Sequence, residues 1–489
     1  GLLHPDGMKN WSAEKVRKSQ AAHGVTVAHI QKDDKNGWQV VSGPFARRIT
    51  GYTPCAISGP AAGTSYMQTA ANPNGKIALG TLNNCANGVT PWGTYLTCEE
   101  NINGYFIKKG KLSKEEQRIG INEKGFGYRW EEFDERFNVD LNPNEPNRFG
   151  WVVEIDPRNP DQAPIKRTAL GRFKHEGAEV TLAKDGRVVV YMGDDQRGEY
   201  VYRYVSKNSY QPNQPELNQT LLDDGVLYVA QFNNNGQGKW IPLLFGQNGL
   251  TPKNGFANQA YILIEARLAA DQVQATPLDR PEWVAVHPKT NDVYVSLTNN
   301  NQRGKEFQID AVNPRVNNQM GHIIRWKPLQ QDPASDRFEW EIFVLAGDPE
   351  NQDENLKGNI QGDIFGSPDG LWFDQRGILW TQTDISSGSL GKGPYGRITN
   401  NMMFAANPQT REFRRFLIGP NGCEVTGIDL TPDYKTMFVN IQHPGESPSE
   451  RSNPDKPKAI SDWPDRKLFS RPRSATIAIW REDGKPVGT

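Results

Sequence analysis

Pro281-Glu282-Trp283-Val284-Ala285-Val286-His287-Pro288 reads as a short apolar strand headed by an acid. The next dozen residues decide the fold: a turn at Asn291-Asp292, a second strand through Val293-Tyr294-Val295, and a polar end at Thr298-Asn299-Asn300. The same order recurs. Glu176-Gly177-Ala178-Glu179-Val180-Thr181-Leu182 leads through Asp185-Gly186-Arg187 and a strand to Tyr191, then to Gly193-Asp194-Asp195. Pro368-Asp369-Gly370-Leu371-Trp372-Phe373-Asp374 leads through Arg376-Gly377 to Thr383-Asp384. Glu424-Val425-Thr426-Gly427-Ile428-Asp429-Leu430 leads through Pro432-Asp433 to Gln442-His443. A fifth unit, reached through Gly93-Thr94-Tyr95-Leu96-Thr97, closes on Cys98-Glu99-Glu100-Asn101.

Near three units lies another shared piece: Val152-Val153-Glu154-Ile155-Asp156-Pro157, Ile323-Ile324-Arg325-Trp326-Lys327-Pro328 and Met403-Phe404-Ala405-Ala406-Asn407-Pro408. Repetition at a spacing made irregular by insertions marks small antiparallel sheets set round an axis. The expected fold is therefore all-β, a six-bladed β-propeller with helical and loop insertions, its sixth blade drawn from the less regular segments. A pair of immunoglobulin-like sandwiches would also be β-rich but gives no reason for an acid at the head of each unit.

Composition agrees. The chain has 489 residues, with 47 Gly, 34 Pro and 10% aromatic residues, the make-up of a turn-rich β protein. A net charge of -1 without long charged runs leaves no electrostatic footprint for nucleic acid. No run of 18 apolar residues exists to span a membrane. We expect one propeller domain over residues 1–489 and a monomer. Insertions are expected near 102–149 and 208–255, the first charged and mostly solvated. The first forty residues read as an amphipathic helix over Trp11–Lys18 and a hairpin around Asn36-Gly37, a lid or peripheral element. The opening Gly1-Leu2-Leu3-His4 fits a chain already processed or trimmed. Of Cys55, Cys85, Cys98 and Cys423, the first two are the pair expected to bridge in an exported protein, with reduced cysteines the equal alternative.

In a propeller the first strand of each blade lines the central channel, so like positions converge. Glu176 or Glu179, Glu282, Asp369 and Glu424 would meet there, joined by Glu99 or Glu100 and by Asp195, Asn299 and Asp384. Two carboxylates about 4 Å apart repel by roughly 4 kcal/mol at an effective dielectric near 20. Several together need cations, and oxygen ligands on separate strands suit calcium. Cys98 adds a soft donor. His175 and His443 are further candidate ligands, against the plainer reading of hydrogen-bonded turn histidines. Arg280 is either a bidentate anion clamp or a surface arginine in a Pro-Glu turn.

Thr97-Cys98-Glu99-Glu100-Asn101, His175-Glu176-Gly177-Ala178-Glu179, Gly193-Asp194-Asp195-Gln196-Arg197-Gly198-Glu199-Tyr200, Asp279-Arg280-Pro281-Glu282 and Pro368-Asp369-Gly370-Leu371 together resemble the PhoX-type bacterial alkaline phosphatases, in order from about residue 40 to the end. The resemblance implies a six-bladed propeller exported to the periplasm by the twin-arginine route. It implies a calcium-dependent phosphomonoesterase holding Fe3+ and Ca2+ in an oxo-bridged cluster. Carried over, the metal ligands are Cys98 (to iron), Glu99, Glu176, Glu179, Asp195, Glu282 and Asp369, with Arg280 on the substrate phosphate; Glu100, Asp194 and Glu424 are left undecided.

No Asp-Ser-Ala nucleophile of the zinc phosphatases is present. The expected nucleophile is a metal-bridging oxo or hydroxide acting on small phosphate monoesters. Two readings of another kind stay open, a calcium-dependent propeller lactonase or esterase and a non-enzymatic binding propeller stabilised by calcium. A phosphodiesterase on the same fold is a milder variant.

Overall fold

Five strands stand side by side in chain order in the computed structural model, which describes residues 3–4, 6–33, 37–447, 455–467 and 470–489: Asn84–Val89, Glu179–Leu182, Pro281–Val286, Pro368–Phe373 and Glu424–Leu430. Each pairs antiparallel with the next strand in the chain, and these are Tyr95–Glu99, Arg187–Gly193, Val293–Leu297, Leu379–Thr383 and Thr436–Gln442. The protein is thus mostly β, built on the repeated unit read in the sequence.

The second strands carry near-continuous apolar runs because both of their faces are covered. Val188, Val189, Val190 and Tyr191 are all fully buried, as are Val293 and Val295. Outer strands complete each unit. Units two and three are fused into one nine-stranded sheet because Gln237–Pro242 pairs with Gly225–Phe232 on one side and Arg337–Leu345 on the other. Tyr191, Phe232, Trp240, Trp326 and Phe338 pack where those units meet. Among the described residues the sheets supply five first strands, and the sheet pattern does not single out a sixth unit.

The stretch around 208–255, expected as an insertion, supplies those two strands and is therefore a structural part of the sheet. The segment 102–149 also departs from its expected solvated character. Most of its charges are at least partly exposed, although Glu145 and Arg148 form a buried pair, and Tyr105, Phe106, Trp130, Phe137 and Phe149 form a buried core with Ile102 and Leu82. The helix Lys114–Ile119 is fixed there by a capping box between Ser113 and Glu116. At the start of the chain the helix Ala13–Ala22 and the hairpin His29–Asp33 with Gly37–Val41 are present, while Asn36 of its turn lies outside the described residues. All four cysteines are free, so Cys55 and Cys85 are not bridged.

Candidate metal centre

One local device aims side chains at the middle. In four of the five units the pairing of first and second strand slips by a bulge, between Asn84 and Asn87, Pro281 and Val284, Pro368 and Leu371, and Thr426 and Ile428. A bulge bends its strand and re-aims one side chain. Cys85, Glu282 and Asp369 sit within the bulge, whereas Glu424 precedes its bulge in regular register, and in all four a residue with left-handed backbone stands two positions before the head: Asn83 (φ 47) before Cys85, Arg280 (φ 57) before Glu282, Ser367 (φ 47) before Asp369, and Gly422 (φ 65) before Glu424. Left-handed backbone is uncommon outside glycine and clusters at functional sites.

Three heads converge. Glu176, Glu282 and Asp369, each at most 5% exposed, offer one carboxylate oxygen apiece within 4.8 Å of one another. Cys85 donates from Sγ to Glu176 Oε1 at 3.1 Å. Asp195 accepts both arms of Arg280, from Nε at 2.8 Å and Nη2 at 2.7 Å, and the same Nη2 lies 3.1 Å from Glu282. Glu100 is held by Asn83 at 3.0 Å and Asn101 at 2.6 Å, and Glu424 by Gln442 at 2.9 Å. Lys174 donates to Asn101 at 3.2 Å.

The electrostatics are those of negative charge gathered without enough positive charge. Burial, with Asp195 and Glu100 nearby, pushes Glu176 well above the usual carboxylate range. Burial and Asp195 do the same to Glu282, and burial and Glu176 to Asp369. Glu100 rises to about 7 through burial and Asp195, and Asp384 to about 7 through burial and Glu424. Cys85 is exposed where it lines the cavity beside the acids, but crowding by the surrounding protein, with Glu176 and then Glu100, Asp369 and Glu424 nearby, holds its thiol well above the ordinary value. Only protons or cations relieve such a site.

The donor set fits cations. Buried Asp369 Oδ1 and Glu100 Oε1 have no hydrogen-bond partner among the described residues, although buried polar atoms are normally satisfied. A cavity of about 670 Å3, lined by Cys85, Glu100, Trp283, Glu424, Gln442 and Thr476, connects with this corner.

Of the residues expected from sequence, Glu176, Glu282, Asp369, Asp195 and Arg280 are brought together. Glu99 is not. Its carboxylate is fully buried and accepts from Lys166 Nζ at 2.7 Å and from the backbone N–H groups of Leu82, Gly150 and Trp151 at 3.2, 2.9 and 3.2 Å. With four donors on it, Glu99 is a structural ion pair. Cys98 packs in the apolar core with Leu96, Val152, Phe173 and Ala178, where burial holds the thiol protonated. The thiol that faces the acids is Cys85.

Glu179 accepts from Val286 N at 3.2 Å and lines a separate cavity of about 430 Å3 with Trp283 and Leu371; burial alone raises it, to about 7. Asp194 is clamped by both arms of Arg267, so it stands behind Asp195. His175 bonds Gly171 O at 2.8 Å, stacks on Phe173, and is pushed down to about 3 by burial. His443 lies 3.5 Å from Glu424.

Sequence reasoning missed Cys85 because the units were aligned on their acids. The available signal was position: Asn83-Asn84-Cys85 stands where Arg280-Pro281-Glu282 and Ser367-Pro368-Asp369 stand.

The family description of PhoX alkaline phosphatase matches residues 3–445. Among solved structures, Pseudomonas fluorescens PhoX in complex with vanadate, a transition state analogue, is similar at 46% identity over 99% of this chain and 84% of that one, with a TM-score of 0.94. A gluconolactonase from Xanthomonas campestris (11% identity, 85% of this chain and 94% of that one, TM-score 0.28) is too distant to carry any argument. The same holds for the PQQ-bound aldose sugar dehydrogenase of Streptomyces coelicolor (10%, 74% and 89%, 0.28). No curated relative matches. The family match over nearly the whole chain and the likeness to a phosphatase at 46% identity define the class, a phosphatase. The chain belongs to the PhoX alkaline phosphatase family, and the lactonase and non-enzymatic readings give way to that of a phosphoric monoester hydrolase. No helix among the described residues is long and apolar enough to cross a membrane.

Proposed function

We propose that this enzyme hydrolyses small phosphate monoesters in a calcium-dependent reaction at a centre holding Ca2+ and Fe3+, on a six-bladed propeller exported to the periplasm and acting as a monomer. The observation that carries the reading is the buried triple Glu176, Glu282 and Asp369 with the Cys85 thiol against it and Arg280 at its edge. Glu100, Asp195, Asp384 and Glu424 are further oxygen donors for calcium, and Cys85, once ionised, is the soft donor that suits iron. Cys85 takes the role expected of Cys98. Bound metals would supply the positive charge and Lewis acidity that an acid-lined corner lacks, which is what binds a phosphate dianion and activates water near neutral pH.

The chain's own residues supply orientation. Arg280 is held from two sides by Asp195 and Glu282, and its Nη1 makes no hydrogen bond to the described residues, so it is aimed and still able to donate to a phosphate oxygen. Lys174 is a second donor: it is buried, near Glu100 and Asp195, and hydrogen-bonded to Asn101. Two fixed cations bind and orient the ester through its phosphate oxygens. The cavity beside Cys85 and Glu100 leaves space for the leaving alcohol.

The test is turnover of an aryl phosphate before and after a calcium chelator. The reading expects loss on chelation and recovery on adding calcium back. Full activity after chelation would refute the calcium requirement.

A further inference from the structure

Arg280 keeps a left-handed backbone (φ 57) although it is not glycine, and its neighbour Asp279 is 0% exposed. Asp279 accepts from Arg303 Nε at 2.7 Å and from Asn318 Nδ2 at 3.0 Å. Arg303 is itself 1% exposed, and its other arms donate to Gln308 O at 2.6 Å and Pro277 O at 3.0 Å. Asn318 is fixed in turn by Gly321 N at 3.1 Å and His322 Nδ1 at 3.1 Å. Every one of these partners except Pro277 comes from the long connection between Leu297 and His322, or is His322, the first residue of the strand that follows it. None of them touches the acid cluster.

The same neighbourhood ties Arg280 to the unit that carries Asp195. Arg197 and Asp279 form an antiparallel bridge, Gly198 N donates to Leu278 O at 2.9 Å, and Leu278 N donates to Glu199 O at 2.9 Å. Gly198 has no room for a side chain: a Cβ there would stand 2.0 Å from the ring of Phe307, which belongs to the same connection. The bidentate Arg280 and Asp195 pair thus spans two segments whose backbones are clamped together immediately behind it, with buried Asp279 and Arg303 on one side and buried Asp194 and Arg267 on the other.

We propose that Asp279 and Arg303 are positioning residues for phosphate binding: their buried ion pair holds the left-handed backbone that aims Arg280, so the connection after Leu297 sets substrate affinity without touching substrate. The inference rests on the reading of Arg280 as the phosphate clamp. Asp279 and Arg303 perform no proton transfer and offer no ligand to the centre, so their loss acts on binding first.

The test uses the metal-loaded enzyme, with an aryl phosphate as substrate and inorganic phosphate as inhibitor. Asp279→Asn, which keeps the shape, and Asn318→Ala, which removes one hydrogen bond, are compared with Arg303→Ala and Arg303→Lys. A small displacement of a binding group costs one to two orders of magnitude, so we expect Asp279→Asn and Arg303→Ala to raise KM and the phosphate inhibition constant together by about tenfold. Metal content should be unchanged and kcat should stay within about twofold, because the interaction lost is one made equally in ground and transition states. Arg303→Lys should recover part of the loss. Unchanged KM and phosphate inhibition in folded Asp279→Asn and Asn318→Ala, with only a lower melting temperature, would reduce the pair to a structural role and overturn the inference. Arg280→Lys, run in parallel, separates the two ideas. If it leaves KM and phosphate inhibition unaltered, the reading of Arg280 itself is wrong, whereas an effect there without one at Asp279 removes only the positioning role of the buried pair.

Discussion

Cys85 hydrogen-bonds through Sγ to Oε1 of Glu176 at 3.1 Å, and the backbone closes the same pair, Ala86 N donating to Glu176 O at 2.8 Å. A thiol from unit one is therefore latched to the carboxylate of unit two by both side chain and main chain. The latch explains why one of the five head positions can carry sulfur. Neighbouring carboxylates already repel across the cluster, and a neutral donor at Cys85 lowers that repulsion until a metal takes the proton's place.

Glu99 and Glu100 are sequence neighbours with opposite jobs. Removing Lys166 leaves a fully buried charge without its partner, so Lys166→Met should destabilise the protein by about 3–5 kcal/mol while metal content of the folded fraction stays at parent level. Denaturant unfolding and metal analysis on the same samples check this. Loss of metal without loss of stability would put Glu99 back among the ligands.

Glu282→Ala and Glu179→Ala separate two acids that the repeat alone cannot rank. Glu282 stands within the converging triple, and Glu179 lines another cavity. Glu282→Ala should release metal and lower kcat by at least about a hundredfold, the scale of losing a transition-state electrostatic group. Glu179→Ala should keep its metals and most of its activity. Equal metal loss in both variants would show that the two cavities form one site.

Stripped of metal, the protein should lose stability as pH rises. Glu100 has a folded value of about 7 against an ordinary 4.5, so between those values the folded state binds more protons than the unfolded one. Stability from this group is complete below about pH 4.5 and falls as pH climbs through about 7. A tenfold change in proton affinity is worth about 1.4 kcal/mol, so Glu100 alone accounts for about 3 kcal/mol. Asp384, also raised to about 7, acts in the same direction. Thermal melts of metal-free protein at pH 5 and pH 8 should show the lower melting temperature at pH 8, recovered by saturating calcium through mass action. A metal-free protein more stable at pH 8 would mean that the clustered acids are not under strain.

The repeat made much of this legible. Glu176, Glu282 and Asp369 occupy matching places at the heads of their units and Asp195 stands at the end of a second strand, so their approach to one another is legible from the repeat. Register could not be read so finely. Successive strand residues face opposite sides, so Glu99 and Glu100 could not both reach the cluster, yet nothing in Cys98-Glu99-Glu100 says which side is inward. That choice is made by Lys166, 67 positions after Glu99, and by the backbone of Gly150 and Trp151. Cys85 was hidden for a different reason, since an alignment keyed on acids passes over a thiol in the same place. In 102–149 the charged surface residues concealed spaced aromatics that pack on Leu82 and on one another.

The visible spectrum and iron content of Cys85→Ser, measured beside Cys98→Ser and the parent after purification without chelators, bear most directly on the centre. A thiolate bound to ferric iron absorbs visible light, whereas a serine hydroxyl stays protonated near neutral pH and replaces it poorly. The parent should be coloured and contain both iron and calcium. Cys85→Ser should lose colour, iron and most phosphatase activity, while Cys98→Ser keeps all three and is only less stable. A colourless, iron-free but active parent, or a Cys85→Ser protein that retains colour and iron while Cys98→Ser loses them, would contradict the assignment of the centre to Cys85 and the acids around it.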